Sequence, residues 1–212
     1  MQSLDLENIY LDNSSEVEGA GFVDKELKEI GGSMDFKGFI TSNAWPPMRF
    51  FHQPYTDNAI RGALLSSNVT TLLEHELLQI KNKEKSVEVA IKNLNQNKII
   101  NVNSKYLIGS DGGSSKVRKL LEINQEDLNY NRDWIVVDVK LKGKNKLHNK
   151  AIQICDPKRL ATYIPAHLPF RRWEFLILEG EDKYEISKEN KIQEFIKPWL
   201  KPSEYEIVRT AV

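Results

Sequence analysis

The sequence predicts a mixed α/β fold, with a β-meander and a strand–turn–helix unit followed by an antiparallel β domain. Short alternating strands fill residues 77–102, and a strand–turn–helix pattern follows over residues 106–121. Alternation of apolar and polar residues then resumes from residue 133 to residue 142. Strands that mix with helices in this way are typical of an α/β or α+β protein rather than an all-β one.

Length, charge and cysteine count limit the functions that the chain could have. With 212 residues, the chain can bury one good core, or one core with a smaller lobe. Thirty basic and thirty acidic residues cancel, so charge gives no reason to expect nucleic acid or an anionic membrane as a partner. The single Cys155 excludes an internal disulfide and a thiolate metal cluster. A reducing, cytoplasmic location fits that cysteine count, and no signal peptide opens the sequence.

Residues 1 to about 44 are weakly patterned. Leu4, Leu6 and residues 9–11 fit a short helix or loop, and residues 22–23 and 39–40 fit short strands. Trp45-Pro46-Pro47 excludes regular helix and central strand, since proline has no backbone N–H. A helix capped by Thr56 or Asp57 is then expected to run to Ser66.

The meander comes next. Residues 68–73 fit a short strand, and residues 77–81, 86–93 and 98–102 fit three strands with short polar connections. Val87, Val89 and Ile91 alternate with polar residues, which predicts one buried face.

The most informative stretch begins with the apolar run 106–108, which predicts a buried strand, and breaks into Gly109-Ser110-Asp111-Gly112-Gly113. A helix start with Ser114 or Ser115 as the cap follows. Such a turn brings backbone N–H groups close to an anionic or polyhydroxyl ligand, and the Asp111 carboxylate can accept hydrogen bonds from ligand hydroxyls. The competing interpretation is a plain turn in which Asp111 bonds its own backbone.

Residues 124–131 form a polar link, taken as the boundary between two lobes. Strands are expected over residues 133–142, 151–155, 161–164 and 172–178. Trp173 shares one strand face with Phe175 and Ile177, which suits either the core or the wall of an aromatic pocket. Tyr163 and Trp173 are the candidates for contact with a substrate. A helix capped by Ser187 is expected to run through Lys197, and a strand is expected over residues 206–212.

The turn also resembles a family signature. An apolar strand, a small residue, Asp111-Gly112, a Ser at 115, an apolar residue at 117 and Arg118 resemble the second flavin-contact motif of the FAD-dependent aromatic hydroxylases, the group A flavoprotein monooxygenases. Further segments resemble the branch that acts on 3-(3-hydroxyphenyl)propionate and related phenols. Those segments are residues 45–54, 133–139, 153–157, 161–163 and 171–175.

The resemblance implies a partial FAD-binding monooxygenase fold, with a flavin domain over residues 1–123 and a substrate-binding sheet over residues 124–212. It implies FAD as cofactor, NAD(P)H and O2 as co-substrates, and hydroxylation of a phenolic aromatic acid. The implied cofactor contacts are Gln53, Asp111, Gly112, Gly113 and Arg118. No metal is expected, because His52, His75, His148 and His167 are scattered without ligand spacing.

Two family motifs are missing. No G-x-G-x-x-G unit is present, and the family would carry it before Met1; a Gly-Asp-Ala motif would follow Val212. The chain is therefore expected to be the middle of a hydroxylase that works with a complementing fragment or forms a homodimer. Two alternatives remain open: a non-catalytic remnant or interaction module that cannot bind FAD alone, and a flavin halogenase or reductase of the same fold.

Overall fold

The computed structural model describes residues 1–212 apart from the side chain of Gln2, and the chain forms two compact units. The first unit combines Met1–Ser67 with Asn131–Val212, and the second is Asn68–Tyr130. The predicted link at residues 124–131 contains the boundary between Tyr130 and Asn131. The first 67 residues, however, belong to the same unit as the C-terminal sheet. The assignment of residues 1–123 to the flavin and residues 124–212 to the substrate stays a prediction.

Helices are short and few. The five α-helices are α1 (Glu7–Asp12), α2 (Gln53–Leu64), α3 (Lys116–Leu120), α4 (Lys183–Ile186) and α5 (Glu189–Ile196). Two 3-10 turns cover Gln2–Leu4 and Pro202–Glu204. The helix predicted near residue 56 thus begins at Gln53. The helix predicted after a Ser187 cap begins at Glu189 with Lys188 at the cap, one residue later than expected.

Twelve strands form the rest of the regular structure. They are β1 (Ser14–Glu16), β2 (Gly19–Val23), β3 (Met34–Asp35), β4 (Arg49–Phe51), β5 (His75–Asn82), β6 (Val87–Asn93), β7 (Lys98–Ser104), β8 (Trp134–Leu141), β9 (Lys150–Ile154), β10 (Ala161–Ile164), β11 (Phe170–Leu176) and β12 (Tyr205–Ala211). The mixed α/β class predicted from the sequence is confirmed.

The first unit is built on a seven-stranded sheet of order β12-β8-β11-β10-β9-β2-β3. Its neighbours are antiparallel except β2 and β9, which pair in parallel with Gly19 opposite Lys150 and Val23 opposite Ile154. This non-local pairing is the reason why the N-terminal residues join the C-terminal sheet. A small antiparallel pair of β1 and β4 lies in the same unit.

One face of this sheet carries the core. Ile135, Val137 and Val139 of β8 are fully buried, as the alternation predicted. Ile192 and Ile196 of α5 are also fully buried and belong to the same cluster. Burying each such side chain contributes roughly 1.5–3 kcal/mol, so α5 is held by its apolar face rather than by its length of eight residues.

The second unit contains the predicted meander, in the order β5-β6-β7, and the short α3. Each pair is antiparallel, with Ile91 opposite Leu77 on one side and opposite Ile100 on the other. Val89 is its one buried apolar residue among the described residues, so the predicted buried face is only partly formed.

Three predicted strands are absent from the described chain. Residues 39–40, 68–73 and 106–108 form no ladder. Phe39 is 58% exposed, and Tyr106 and Ile108 are 83% and 84% exposed. An extended apolar run becomes a strand only when a neighbouring strand satisfies its backbone groups, and none of the described strands lies beside these three.

Candidate functional site

The loop from Gly109 to Ser115 brings four of the predicted site residues together: Asp111, Gly112, Gly113 and Arg118. Its centre is the Asp111 carboxylate, which accepts three hydrogen bonds. The Ser115 hydroxyl donates to Oδ1 at 2.5 Å. The backbone N–H groups of Lys116 and Val117 donate to Oδ2 at 2.6 and 3.0 Å. Asp111 therefore satisfies the first turn of α3, as the plain-turn interpretation expected.

Two further contacts close the loop on itself. The Ser115 hydroxyl accepts a hydrogen bond from the Arg118 backbone N–H at 3.0 Å, which confirms Ser115 as the cap of α3. Arg118 Nη1 donates to the Gly113 carbonyl at 2.8 Å. The guanidinium thus ties the glycine segment to the helix, and Lys116 at the start of that helix also donates to Glu76 of β5 at 2.5 Å.

The Asp111 carboxylate is an ionised hydrogen-bond acceptor that is exposed to solvent. Hydrogen bonding, first from Ser115 and then from the Val117 N–H, lowers the pKa of Asp111 below its ordinary value. Asp111 is exposed, and each carboxylate oxygen can accept more than one hydrogen bond. The ionised group can therefore receive donors from a ligand while it caps α3.

The glycines leave space in front of the loop. Gly112 has φ +81°, a conformation that other residues rarely adopt, and a Cβ built on it or on Gly113 would meet no atom within 4 Å. A fixed anionic acceptor beside bare backbone suits a ligand with several hydroxyl groups.

Gln53 lies in the other unit, at the first position of α2, and its side chain is exposed. His52, the residue before it, is held by contacts with two aromatic rings. The His52 ring stacks on Phe170 with centroids 3.8 Å apart and planes 10° apart, and Tyr55 meets both rings edge-on. Burial lowers the pKa of His52, so the imidazole is neutral near pH 7. No pattern in the sequence indicates the contact with Phe170, which lies 118 positions away.

Tyr163 and Trp173, the candidates for substrate contact, lie in the core. They are 2% and 0% exposed, and their ring centroids are 5.1 Å apart. The Tyr163 hydroxyl donates to the His148 carbonyl at 2.9 Å, and Trp173 also packs against Trp199. Both are packing residues in this structure, and a substrate role for them stays a prediction.

Sequence reasoning missed a buried ion pair on the opposite face of the sheet. Asp138 is 2% exposed, and its carboxylate accepts hydrogen bonds from Arg172 Nε at 2.7 Å and Arg172 Nη2 at 3.1 Å. Arg209 Nη1 lies 3.8 Å from Oδ2. The signal in the sequence was an acidic residue on β8 and a basic residue on β11, two strands that could pair. In the structure these strands do pair, with Arg172 opposite Asp138.

The residues that the structure describes contain neither a cluster of metal ligands nor a membrane-spanning helix. No group of three or more His, Cys, Asp or Glu side chains that could hold a metal ion occurs among them. In the same residues, no helix has the length and hydropathy needed to cross a bilayer.

The comparison with protein families gives a match along nearly the whole chain. Residues 7–207 match the model described as FAD binding domain. That range includes all seven residues singled out from the sequence as cofactor or substrate contacts.

Several curated relatives are similar to this chain. A 3-(3-hydroxy-phenyl)propionate/3-hydroxycinnamic acid hydroxylase of Comamonas testosteroni is 32% identical over 173 residues, which is 79% of this chain and 28% of that protein. The protein of the same name from Escherichia coli strain K12 is 30% identical over 183 residues, 84% of this chain and 32% of that one. The chain thus spans about a third of the length of these relatives.

Solved structures show the same fold. The p-nitrophenol 4-monooxygenase PnpA of Pseudomonas putida DLL-E4 aligns with a TM-score of 0.77 at 14% identity, covering 97% of this chain and 52% of that one. The flavin-dependent monooxygenase PieE, solved with FAD and substrate, aligns with a TM-score of 0.78 at 13% identity. It covers 99% of this chain and 40% of that one. At these identities the likeness concerns the fold alone.

Proposed function

The chain belongs to the FAD binding domain family, whose model matches residues 7–207. We propose on this basis that the chain is part of an FAD-dependent hydroxylase of phenolic aromatic acids that uses NAD(P)H and O2. The observation that carries the cofactor half is the fixed, ionised carboxylate of Asp111 beside the open backbone of Gly112 and Gly113.

The residues of the loop fit the cofactor. The ribityl chain of FAD offers several hydroxyl donors, and the exposed Asp111 oxygens are acceptors that the loop holds in place. Gly112 and Gly113 allow a ligand to approach the backbone, and Arg118 keeps that backbone in place through the Gly113 carbonyl. When bound, the flavin supplies the redox chemistry, and the protein supplies binding, orientation and exclusion of water.

Gln53 is proposed as a second cofactor contact. Its amide has both donors and acceptors, which suits the polar edge of an isoalloxazine ring. The stacked pair of His52 and Phe170 fixes the backbone just before it, so the Gln53 side chain starts from a rigid position.

The substrate half rests on the curated relatives and on strand geometry. The relatives' name specifies 3-(3-hydroxyphenyl)propionate and 3-hydroxycinnamic acid, and we propose an acid of this class for the present chain. Since neighbouring residues of a strand point to opposite faces, Thr162 and Arg172 lie opposite the buried Tyr163 and Trp173. We propose that this other face of β10 and β11 supplies the sheet's contacts with the acid.

The reaction can be tested on the flavin-loaded protein. We expect NADH or NADPH to be oxidised faster when 3-(3-hydroxyphenyl)propionate is added, with a product that gains one oxygen atom derived from O2. Phenylpropionate without the ring hydroxyl serves as the control and should remain unmodified. Reductant consumption without an oxygenated product, or halide incorporation instead, would contradict the proposal and favour a reductase or a halogenase.

A further inference from the structure

A second concave site lies in the first unit, on the face of the seven-stranded sheet opposite the core. The cavity has a volume of about 410 Å³ and lies between the start of α2 and the strands β8, β11 and β12. We call it the Arg209 pocket. Its lining includes His52, Tyr55, Lys140, Phe170, Glu206 and Arg209, all of which belong to the first unit.

Strand pairing brings the charged residues of the Arg209 pocket to one face of the sheet. Arg209 of β12 lies opposite Asp138 of β8, and Glu206 lies opposite Lys140. Phe170 of β11 also lies opposite Lys140. Because directly paired residues of antiparallel strands point to the same side, these side chains share the face that the buried valines of β8 do not use.

Aromatic rings from the start of α2 form one wall of the Arg209 pocket. The rings of Tyr55 and His52 meet edge-on with centroids 4.9 Å apart, and His52 stacks on the buried Phe170. Tyr55 keeps 47% of its surface exposed, so its ring is open to a ligand. The volume accommodates one aromatic ring with a short side chain, at the lower end of the sizes found for ligand pockets.

The Arg209 guanidinium is available to a ligand. It donates no hydrogen bond to any described residue, and the side chain is 49% exposed. Its closest carboxylate is Asp138, with Nη1 3.8 Å from Oδ2. That carboxylate is already neutralised, because Nε and Nη2 of Arg172 donate to its two oxygens at 2.7 and 3.1 Å. Asp138 therefore lies close to Arg209 without satisfying its N–H donors.

The other charges of the lining balance each other. Lys140 and Glu206 are direct cross-strand partners of opposite charge. Glu174, the next carboxylate on this face, lies outside the lining, and His52 is neutral near pH 7. The charge left over in the Arg209 pocket is therefore positive.

From these contacts we propose that the Arg209 pocket binds the carboxylate end of the aromatic acid, which makes Arg209 a specificity-determining residue. This inference rests on the proposed hydroxylase function, because that function supplies the acid. The carboxylate accepts two hydrogen bonds from the guanidinium, a geometry that suits both groups. The ring packs against Tyr55 and thus lies beside the segment that carries Gln53.

The test is a titration of the 212-residue chain with 3-(3-hydroxyphenyl)propionate at neutral pH, followed by the backbone amide NMR signals of Tyr55 and Val208. We expect saturable shifts of both signals. Arg209→Gln should weaken binding about ten- to a hundred-fold, because the charged donors are lost. Glu206→Gln should tighten binding several-fold, because the charge of Lys140 is then no longer offset.

A matched variant and a neutral ligand serve as controls. Arg61→Gln removes the same charge at an exposed position of α2 outside the lining and should leave the affinity unaltered. The alcohol 3-(3-hydroxyphenyl)propanol should bind about tenfold more weakly than the acid. Equal affinity of Arg209→Gln and the unmodified chain, equal affinity of alcohol and acid, or no saturable binding of the acid would each overturn the proposal.

Hydroxylation by the flavin-loaded protein separates this inference from the function on which it rests. Arg209→Gln should raise KM for the acid more than it lowers kcat, because the contact is made before the chemical step. Hydroxylation with an unchanged KM in this variant would overturn the role of Arg209 and leave the hydroxylase function standing. Binding of the acid that depends on Arg209, without hydroxylation, would contradict the function and support the carboxylate site.

Discussion

At the scale of single residues, the phenol of Tyr163 reports on the core. It is 2% exposed, and burial raises its pKa to about 12. An unfolded tyrosine ionises near pH 10, so the folded state binds the proton more tightly than the unfolded state. The contribution of the protonated Tyr163 phenol to the free energy of unfolding is fully present below about pH 10. It is lost as the pH rises towards about 12.

This shift predicts alkaline destabilisation. Two pKa units correspond to roughly 2–3 kcal/mol of unfolding free energy, to be lost between about pH 10 and pH 12. Urea unfolding at pH 8 and at pH 11 measures it, and Tyr163→Phe should lose less stability than the unmodified chain over that interval. Tyr184→Phe, at an exposed position, is the matched control. An equal loss in the Tyr163 variant and the unmodified chain would contradict the assigned shift.

The pair of Asp138 and Arg172 gives a second residue-scale prediction. Arg172→Met should destabilise the protein by about 3 kcal/mol, because it leaves a carboxylate that is 2% exposed with only Arg209 at 3.8 Å. Adding Asp138→Val should recover most of that loss, since no buried charge then remains. Chemical denaturation of the two variants tests this, and a double variant no more stable than Arg172→Met would refute it.

Side-chain chemistry in the turn was predictable from sequence, and the identity of the core face was not. Local spacing sufficed for Ser115 as a cap and for Asp111 as an acceptor, because their partners lie within six positions. For Trp173, alternation predicted a strand face shared with Phe175 and Ile177 without saying whether that face is covered. That depends on α5, whose packing against the sheet is a long-range contact.

At the scale of elements, α5 shows how an eight-residue helix is held. Ile192→Ala should cost roughly 2–5 kcal/mol, since the side chain is fully buried against the sheet and its removal leaves a cavity. Lys191→Ala, at the neighbouring exposed position, should change stability by less than about 0.5 kcal/mol. Thermal unfolding compares them. Similar effects of both changes would mean that α5 is not packed as described.

Element prediction failed where an apolar run lacked a partner. Alternation along β6 and β8 identified strands whose neighbours are within this chain. The run at residues 106–108 has strand-like composition, yet no described strand pairs with it. Local pattern measures the tendency to pair, whereas a strand also needs a second strand beside it.

At the scale of the whole molecule, exposed apolar residues are numerous. In the second unit and its boundary, Tyr106, Ile108, Leu128 and Tyr130 are each at least 76% exposed. Apolar side chains at such exposure favour association with other surfaces, and a homodimer or a complementing fragment stays a prediction.

Association is therefore predicted to respond to this stretch. Tyr106→Ser combined with Ile108→Ser should lower the binding of a hydrophobic dye and the apparent mass in gel filtration at high concentration. Tyr184→Ser, at 86% exposure in the other unit, is the control and should have a smaller effect. If the double variant and Tyr184→Ser change dye binding and apparent mass equally, or if neither changes them, residues 106–108 are not an association surface.

The most direct measurement for the flavin assignment is an equilibrium titration of the chain with FAD and with riboflavin, followed by flavin fluorescence. We expect saturable binding of both ligands. Asp111→Asn should weaken it about ten- to a hundred-fold, because the ribityl hydroxyls lose a charged acceptor. Ser115→Ala should have a much smaller effect, since Asp111 keeps its bonds from Lys116 and Val117. Absence of saturable binding, or equal affinity of the Asp111 variant, would contradict the assignment.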